Sequence, residues 1–170
     1  MADLGYFTLL AAFVACSYAA AVSVAGARRR SPRLLESGLG AFYLVTALML
    51  LASAVIVHAF VTEDYSIRYV DNYSDSAQPL FYKLTSYWGG LDGSIMFWVT
   101  LLAVFGASAV YANRERQCEL IPYVVAVIAV VQMFFLFVMI VHKNPFATYL
   151  TQSPVDGRGL NPLLQNPYMA

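Results

Sequence analysis

Few side chains in this 170-residue sequence could do chemistry. His58 and His142 are candidate metal or haem ligands, because imidazole nitrogen binds haem iron readily. The ordinary role of such residues at a membrane boundary is a hydrogen-bonded or snorkelling side chain. Cys16 and Cys118 belong to segments at different depths and neither has a CxxC partner, so no disulfide, metal or redox motif is expected of them. Two polar stretches carry more information. In Trp88-Gly89-Gly90-Leu91-Asp92-Gly93-Ser94, paired glycines follow a tryptophan and permit close backbone approach. Asp92 and Ser94 stand there as expected helix caps. Asn161, Gln165 and Asn166 lie in a glycine- and proline-punctuated segment from Gly157 to Ala170. Leu160, Leu163 and Leu164 make that segment too apolar for a solvated tail.

The elements that must position these residues follow from composition. Ten basic and ten acidic side chains cancel, charged residues are 12% and hydrophobic ones 60%. Mean hydropathy is +0.63. Soluble domains carry about 25% charged residues. A basic nucleic-acid binder, a disordered chain and a disulfide-stapled secreted domain are all excluded as classes, and no nucleic-acid partner is expected. The apolar residues gather in uncharged runs of the length needed to cross a hydrocarbon core of about 30 Å. The reading is an all-α membrane protein with four transmembrane helices, at about 4–27, 38–61, 94–112 and 120–142. An outer loop occupies 62–93 and an outer tail 143–170, all in a single membrane domain 1–170.

Charge sets the orientation. Arg28, Arg29, Arg30 and Arg33 follow the first run, whereas Glu63, Asp64, Asp71, Asp75 and Asp92 dominate the second loop. By the positive-inside rule the N-terminus and the tail lie outside and the first and third loops in the cytoplasm. Within the outer loop, Asp64 to Val70 has strand-like alternation and Asn72 to Pro79 reads as polar turn. No charged residue falls in the middle of a helix, which argues against a pump or antiporter.

Several motifs, in order along the chain, resemble the N-terminal part of CcmF, the membrane haem lyase component of cytochrome c maturation. They are Asp64 to Pro79 (DYSIRYVDNYSDSAQP), Tyr82 to Leu102 (YKLTSYWGGLDGSIMFWVTLL), Asn144-Pro145-Phe146 and Gly157 to Met169 (GRGLNPLLQNPYM). The resemblance implies an inner-membrane protein that supports delivery and attachment of haem b to apocytochrome c on the outer face. It implies as partners a periplasmic haem chaperone, apocytochrome c, other maturation-complex subunits and the C-terminal remainder of the haem lyase. It implies a haem-site platform formed by Trp88, Gly89, Asp92, Gly93, Ser94, Asn161, Gln165 and Asn166. Relatives commonly place His-Glu-Gly-Ser where this chain has Leu91-Asp92-Gly93-Ser94. Their outer haem-ligating histidine follows the segment that here reaches Ala170. The expectation is therefore a fragment or one piece of a split protein, with no haem ligands of its own and no catalysis alone. A small assembly subunit without a haem role, contacting only partner helices, is the alternative.

Overall fold

The computed structural model describes residues 1–149 and 154–165. Four long helices form it: α1 (Ala2–Arg29), α2 (Pro32–Val61), α5 (Leu91–Asn113) and α6 (Ile121–Val141). Two short helices stand between the second and third of these, α3 (Arg68–Tyr73) and α4 (Leu80–Gly89). A single 3-10 turn, Pro162–Leu164, lies in the tail. All four long helices are apolar and long enough to cross a membrane. The expectation of an all-α membrane protein with four spanning helices holds.

Three of the four, α1, α2 and α5, are longer than the apolar runs that announce them. α1 keeps Arg28 and Arg29 in its last turn, where cationic side chains face the negative end of the helix dipole. α2 starts six residues before its apolar run, with Pro32 in the first turn, where a missing N–H leaves no bond unmade. The α1–α2 connection is consequently one tight turn. Arg30 adopts the left-handed conformation (φ 49°, ψ 41°), its N–H bonds the Ala27 carbonyl, and the Ser31 N–H bonds the Gly26 carbonyl. That is a Schellman closure with arginine in the position glycine usually takes. α2 ends in the same way: Glu63 has φ 57°, and the N–H groups of Glu63 and Asp64 bond the carbonyls of Phe60 and Ala59.

α1 packs along α2 and α6, while α5 bridges α2 and α6. The main core runs through all four long helices, with Leu9, Phe60, Met49, Met96 and Leu136 fully buried, and reaches Ile67 and Phe146 beyond the helix ends. Small residues let the helices approach. A Cβ on Gly26 would lie 2.9 Å from Leu35 Cδ2, and one on Gly38 would lie 2.5 Å from Ser23 Oγ and 3.1 Å from the Ser23 backbone nitrogen. Gln132, buried in α6, accepts a weak bond from the Cys16 thiol at 3.9 Å. Both cysteines are free.

The first residues of α1 and α5 and the last of α2 and α6 share one side, the platform side. Gly5 near the start of α1 lies against the Phe146 ring just after α6. α3, α4 and the tail cover this side. The arginines of the α1–α2 turn mark the other.

The strand-like alternation at Asp64 to Val70 builds no strand among the described residues. The alternation is real, since Tyr65, Ile67 and Tyr69 are all buried. It serves one antiparallel bridge, Ile67 to Thr148, with Arg68 N–H bonding Ala147 O at 2.9 Å. The chain then turns into α3, because no further neighbouring strand is present among the described residues to satisfy its backbone.

Replacing Gly38 by leucine should force α1 and α2 apart. Overpacking of this kind costs about 1–3 kcal/mol and lowers the melting temperature of the detergent-solubilised protein by roughly 4 °C or more. Gly40→Ala, where a Cβ meets nothing within 4 Å, should leave the melting temperature level or slightly higher. Equal melting of the two variants would show that the α1–α2 contact is slack.

Candidate functional site

The platform is organised around the phenol of Tyr69. α4 ends at Gly89, Gly90 is extended (φ −121°, ψ 166°), and α5 begins at once with Leu91. An α-helix leaves its last carbonyls without intrahelical partners, and here two helices meet with one residue between them. The Tyr69 hydroxyl lies 3.2 Å from Ser86 O and Tyr87 O and 3.3 Å from Gly90 O, to which it donates, and accepts from Gly90 N–H at 3.0 Å. Burial pushes the Tyr69 phenol up, so it stays a protonated donor. Its ring packs edge-on against Phe60 at 5.7 Å and tilted against Tyr73 at 4.8 Å.

The glycines of the motif exist for this ring pair. A Cβ on Gly90 would enter the Tyr73 ring, and one on Gly93 would overlap both the Tyr87 carbonyl and the Tyr69 hydroxyl. Ser94 donates to Trp88 O at 2.6 Å, closing another α4 carbonyl. Ser94 therefore finishes α4 rather than capping α5, and no side-chain cap is made at the start of α5 by Asp92. The cap expected of these two residues fails because Gly90, not either of them, occupies the N-cap position.

α4 buries its polar face. Lys83, Thr85, Ser86 and Tyr87 point inward, while Leu80, Phe81, Leu84 and Trp88 are exposed. Lys83 Nζ reaches Glu63 Oε1 at 2.5 Å. The Tyr87 hydroxyl is hydrogen-bonded to Ser53 Oγ at 2.7 Å, and Ser53 to Thr100 Oγ1 at 2.9 Å, tying α4 to α2 and α5. Trp88 stacks at 5.4 Å on Phe97 and keeps 40% of its surface free. Trp98 follows on α5 at 68% exposure.

The tail crosses this platform. Arg158 N–H bonds Asp71 O at 2.7 Å and Gly159 N–H bonds Ser74 O at 3.2 Å. Asp156 accepts from Ser76 N–H at 3.0 Å and Ser76 Oγ at 2.8 Å. Tyr149 donates to the buried Asp71 carboxylate, which holds the Tyr149 phenol above its ordinary range. Gly157 is pressed so near Ser74 O that no side chain fits, and Gly159 has φ 79°. Leu160, buried, rests on Gly89, where an added Cβ would be 3.0 Å from it.

The structure thus brings the two predicted stretches together at Gly89 and Leu160. Asn161 O accepts from Leu164 N–H at 2.8 Å, and Gln165 Nε2 donates to Leu160 O at 3.0 Å, so both shape the tail turn. Asn166 lies outside the described residues. Asp92 and His142 line one polar cleft, with Arg68 and Lys143. His58 is exposed on the last turn of α2. Among the described residues no three His, Cys, Asp or Glu side chains cluster as a metal site.

Sequence reasoning missed Tyr69, Tyr73, Asp71 and the Lys83–Glu63 pair. Their partners are distant in sequence, and the paired glycines after Trp88 signalled only a close backbone approach.

Two outcomes follow. Tyr69→Phe keeps the ring contacts but leaves the buried Gly90 N–H unbonded, at a cost of about 1–3 kcal/mol. Hydrogen exchange at residues 86–94 should accelerate markedly, with α1 and α6 unchanged. The Asp156 carboxyl is held below its ordinary value by the Ser76 side-chain and backbone bonds and by Gly157 N–H. A depressed carboxyl stabilises above its unfolded value and loses that contribution as pH falls through the folded one. Protease cutting near 154–159 should therefore rise only below the ordinary carboxylate range, and Ser76→Ala should move its onset to higher pH.

No family model matches the chain. CycK of Rhizobium meliloti, a cytochrome c-type biogenesis protein, is 34% identical over 164 residues, 96% of this chain and 24% of the relative. The cytochrome c-type biogenesis protein ccl1 of Rhodobacter capsulatus is 33% identical over 168 residues, 99% of this chain and 26% of the relative. A solved cytochrome c heme lyase CcmF has the same fold, with a TM-score of 0.78 at 22% identity over 89% of this chain and 25% of that one. The chain spans about a quarter of the length of the curated relatives it matches. Over nearly all of its length, then, this chain is homologous to cytochrome c-type biogenesis proteins named CcmF, CycK and NrfE.

Proposed function

We propose that this chain is the membrane scaffold of a haem lyase, presenting on its platform side a surface for haem delivery and attachment to apocytochrome c. The cytochrome c-type biogenesis proteins that this chain resembles support a role in that process. The finer reading rests on one observation. Trp88, on a helix whose opposite face is bonded to α2 and whose end is closed by Tyr69, keeps its indole exposed beside Phe97. An aromatic ring held rigidly at a membrane boundary suits stacking on a flat apolar macrocycle.

In this reading the membrane is the inner one, the arginine side is cytoplasmic and the platform faces outward, as charge bias favours. Haem b is the cargo, and it supplies the iron and vinyl groups whose chemistry lies with histidines beyond the residues described. This chain's own contribution is positioning. Tyr69, Gly90 and Gly93 set the height and angle of Trp88, and the tail from Asp156 to Gln165 leads across the platform toward the C-terminal remainder of the lyase. A periplasmic haem chaperone, apocytochrome c and other maturation subunits are the partners for that face.

The test is holocytochrome c in membranes of cells that depend on this chain, read by haem staining of gels. Trp88→Ala should lower it at least about fivefold, with the chain itself still present at its normal level. Phe105→Ala, on the exposed flank of α5, should leave it unchanged. Full haem staining with Trp88→Ala would favour an assembly subunit without a haem role and sink the platform reading.

A further inference from the structure

The polar cleft on the platform side is not part of the Trp88 surface, and its chemistry is its own. It has a volume of about 380 Å³ and lies where α5 begins and α6 ends. Arg68, Lys143, Asn72 and Asn144 line it, with Asp92 and His142. Arg68 and Lys143 have no carboxylate within ion-pair distance among the described residues. The Arg68 guanidinium lies 5.7 Å from the Tyr149 ring centre, and its backbone is fixed by the Ala147 carbonyl. Two unpaired cations facing one cavity select an anion, and a guanidinium matches phosphate in a two-pronged geometry. Asp92, half-buried at the same cleft, adds a place for a cation.

The rim of the cleft is apolar. Leu91 and Val141 are 58% and 55% exposed at the first and last positions of two membrane-spanning helices. Below it a second cavity of about 420 Å³ is lined only by Ile95, Trp98, Val99, Leu102 and Phe135. Leu91, Ile95, Trp98 and Leu102 recur at i, i+4, i+7 and i+11, a single stripe of α5. At 1.5 Å per residue this groove begins about 6 Å below Leu91 and continues to about 16 Å. His142 and Phe135, seven residues apart, mark the matching stripe of α6. A polar head site thus sits directly above an apolar channel of acyl-chain depth.

We propose that this paired cavity binds one aminophospholipid of the platform-side leaflet. Its phosphate lies between Arg68 and Lys143, its ammonium at Asp92 and an acyl chain in the groove between α5 and α6. The apolar lower cavity is what favours a lipid over a free anion, which would use the upper cleft alone. The site stands independently of any haem role.

Native mass spectrometry of the full chain in mild detergent tests it, with phosphatidylethanolamine, phosphatidylglycerol and phosphatidylcholine added in equal amounts. Phosphatidylethanolamine should be retained preferentially. The double variant Arg68→Gln, Lys143→Gln should retain at least about fivefold less, and Lys143→Arg should retain it normally. Asp92→Asn should reverse the preference toward phosphatidylglycerol. Arg68 and Lys143 are exposed, so these changes leave the core untouched, and unchanged helix content by circular dichroism verifies it. Equal retention by the double variant and the unmodified chain overturns the proposal. So does displacement of the lipid by millimolar inorganic phosphate, which marks a free-anion site. Displacement by a porphyrin dicarboxylate overturns it as well, by assigning the cleft to haem propionates.

Discussion

Everything on the platform side depends on how α4 is allowed to end. Two helices abut with one extended residue between them, in a place walled by Phe60, Tyr73 and the chain turns of α3. Left alone, the last carbonyls of α4 would be buried and unbonded, a costly state. A single phenol meets that need. Because Tyr69 offers one O–H and lies near three carbonyls, the oxygen must sit at their common focus. That requirement dictates the rest: α3 must bring Tyr69 in from the side, and Gly90 and Gly93 must have no side chains.

A second constraint is polarity. In a water-soluble protein α4 would turn its leucines and aromatics inward. Here it turns Lys83, Thr85, Ser86 and Tyr87 toward the bundle. The inversion is stable because each inward group has a partner: Glu63 for Lys83, Ser53 for Tyr87, Gln78 and Tyr82 for Ser86, and Tyr82 again for Thr85. The outward apolar stripe then costs nothing where lipid or another apolar surface covers it. The tail adds a third set of polar ties through Asp71, Ser74 and Ser76, all from the loop between α2 and α4.

The four spanning helices were legible because uncharged runs of twenty residues have no other solution in lipid. Their ends fell within three residues of those runs except the start of α2, six residues early at Pro32, where Arg33 and Glu36 interrupt the apolar run. Glycine usually announces a left-handed helix terminus, yet Arg30 and Glu63 take that role here. The alternation at Tyr65, Ile67 and Tyr69 was sound as a burial pattern and misleading as a strand, since burial periodicity does not say whether a partner strand exists. The tryptophan–glycine motif was visible, and so was its closeness to the helix start. Its physical reason lay in a tyrosine some twenty residues upstream, and contacts of that separation leave no local trace.

The grip of α2 on α4 has a mechanical side. α2 reaches it at Ser53 and, just past its own end, at Glu63, holding Tyr87 and Lys83 respectively. A rod seized at two points along its length can neither roll nor tilt by itself. α2 is about 45 Å long at 1.5 Å per residue, and its far end carries the tight arginine turn on the opposite side of the membrane. The helix is therefore the reference for α4, whose roll is set by the angular positions of Ser53 and Glu63. Its phase matters as much as its length, because adding one residue would swing Glu63 by about 100° away from Lys83.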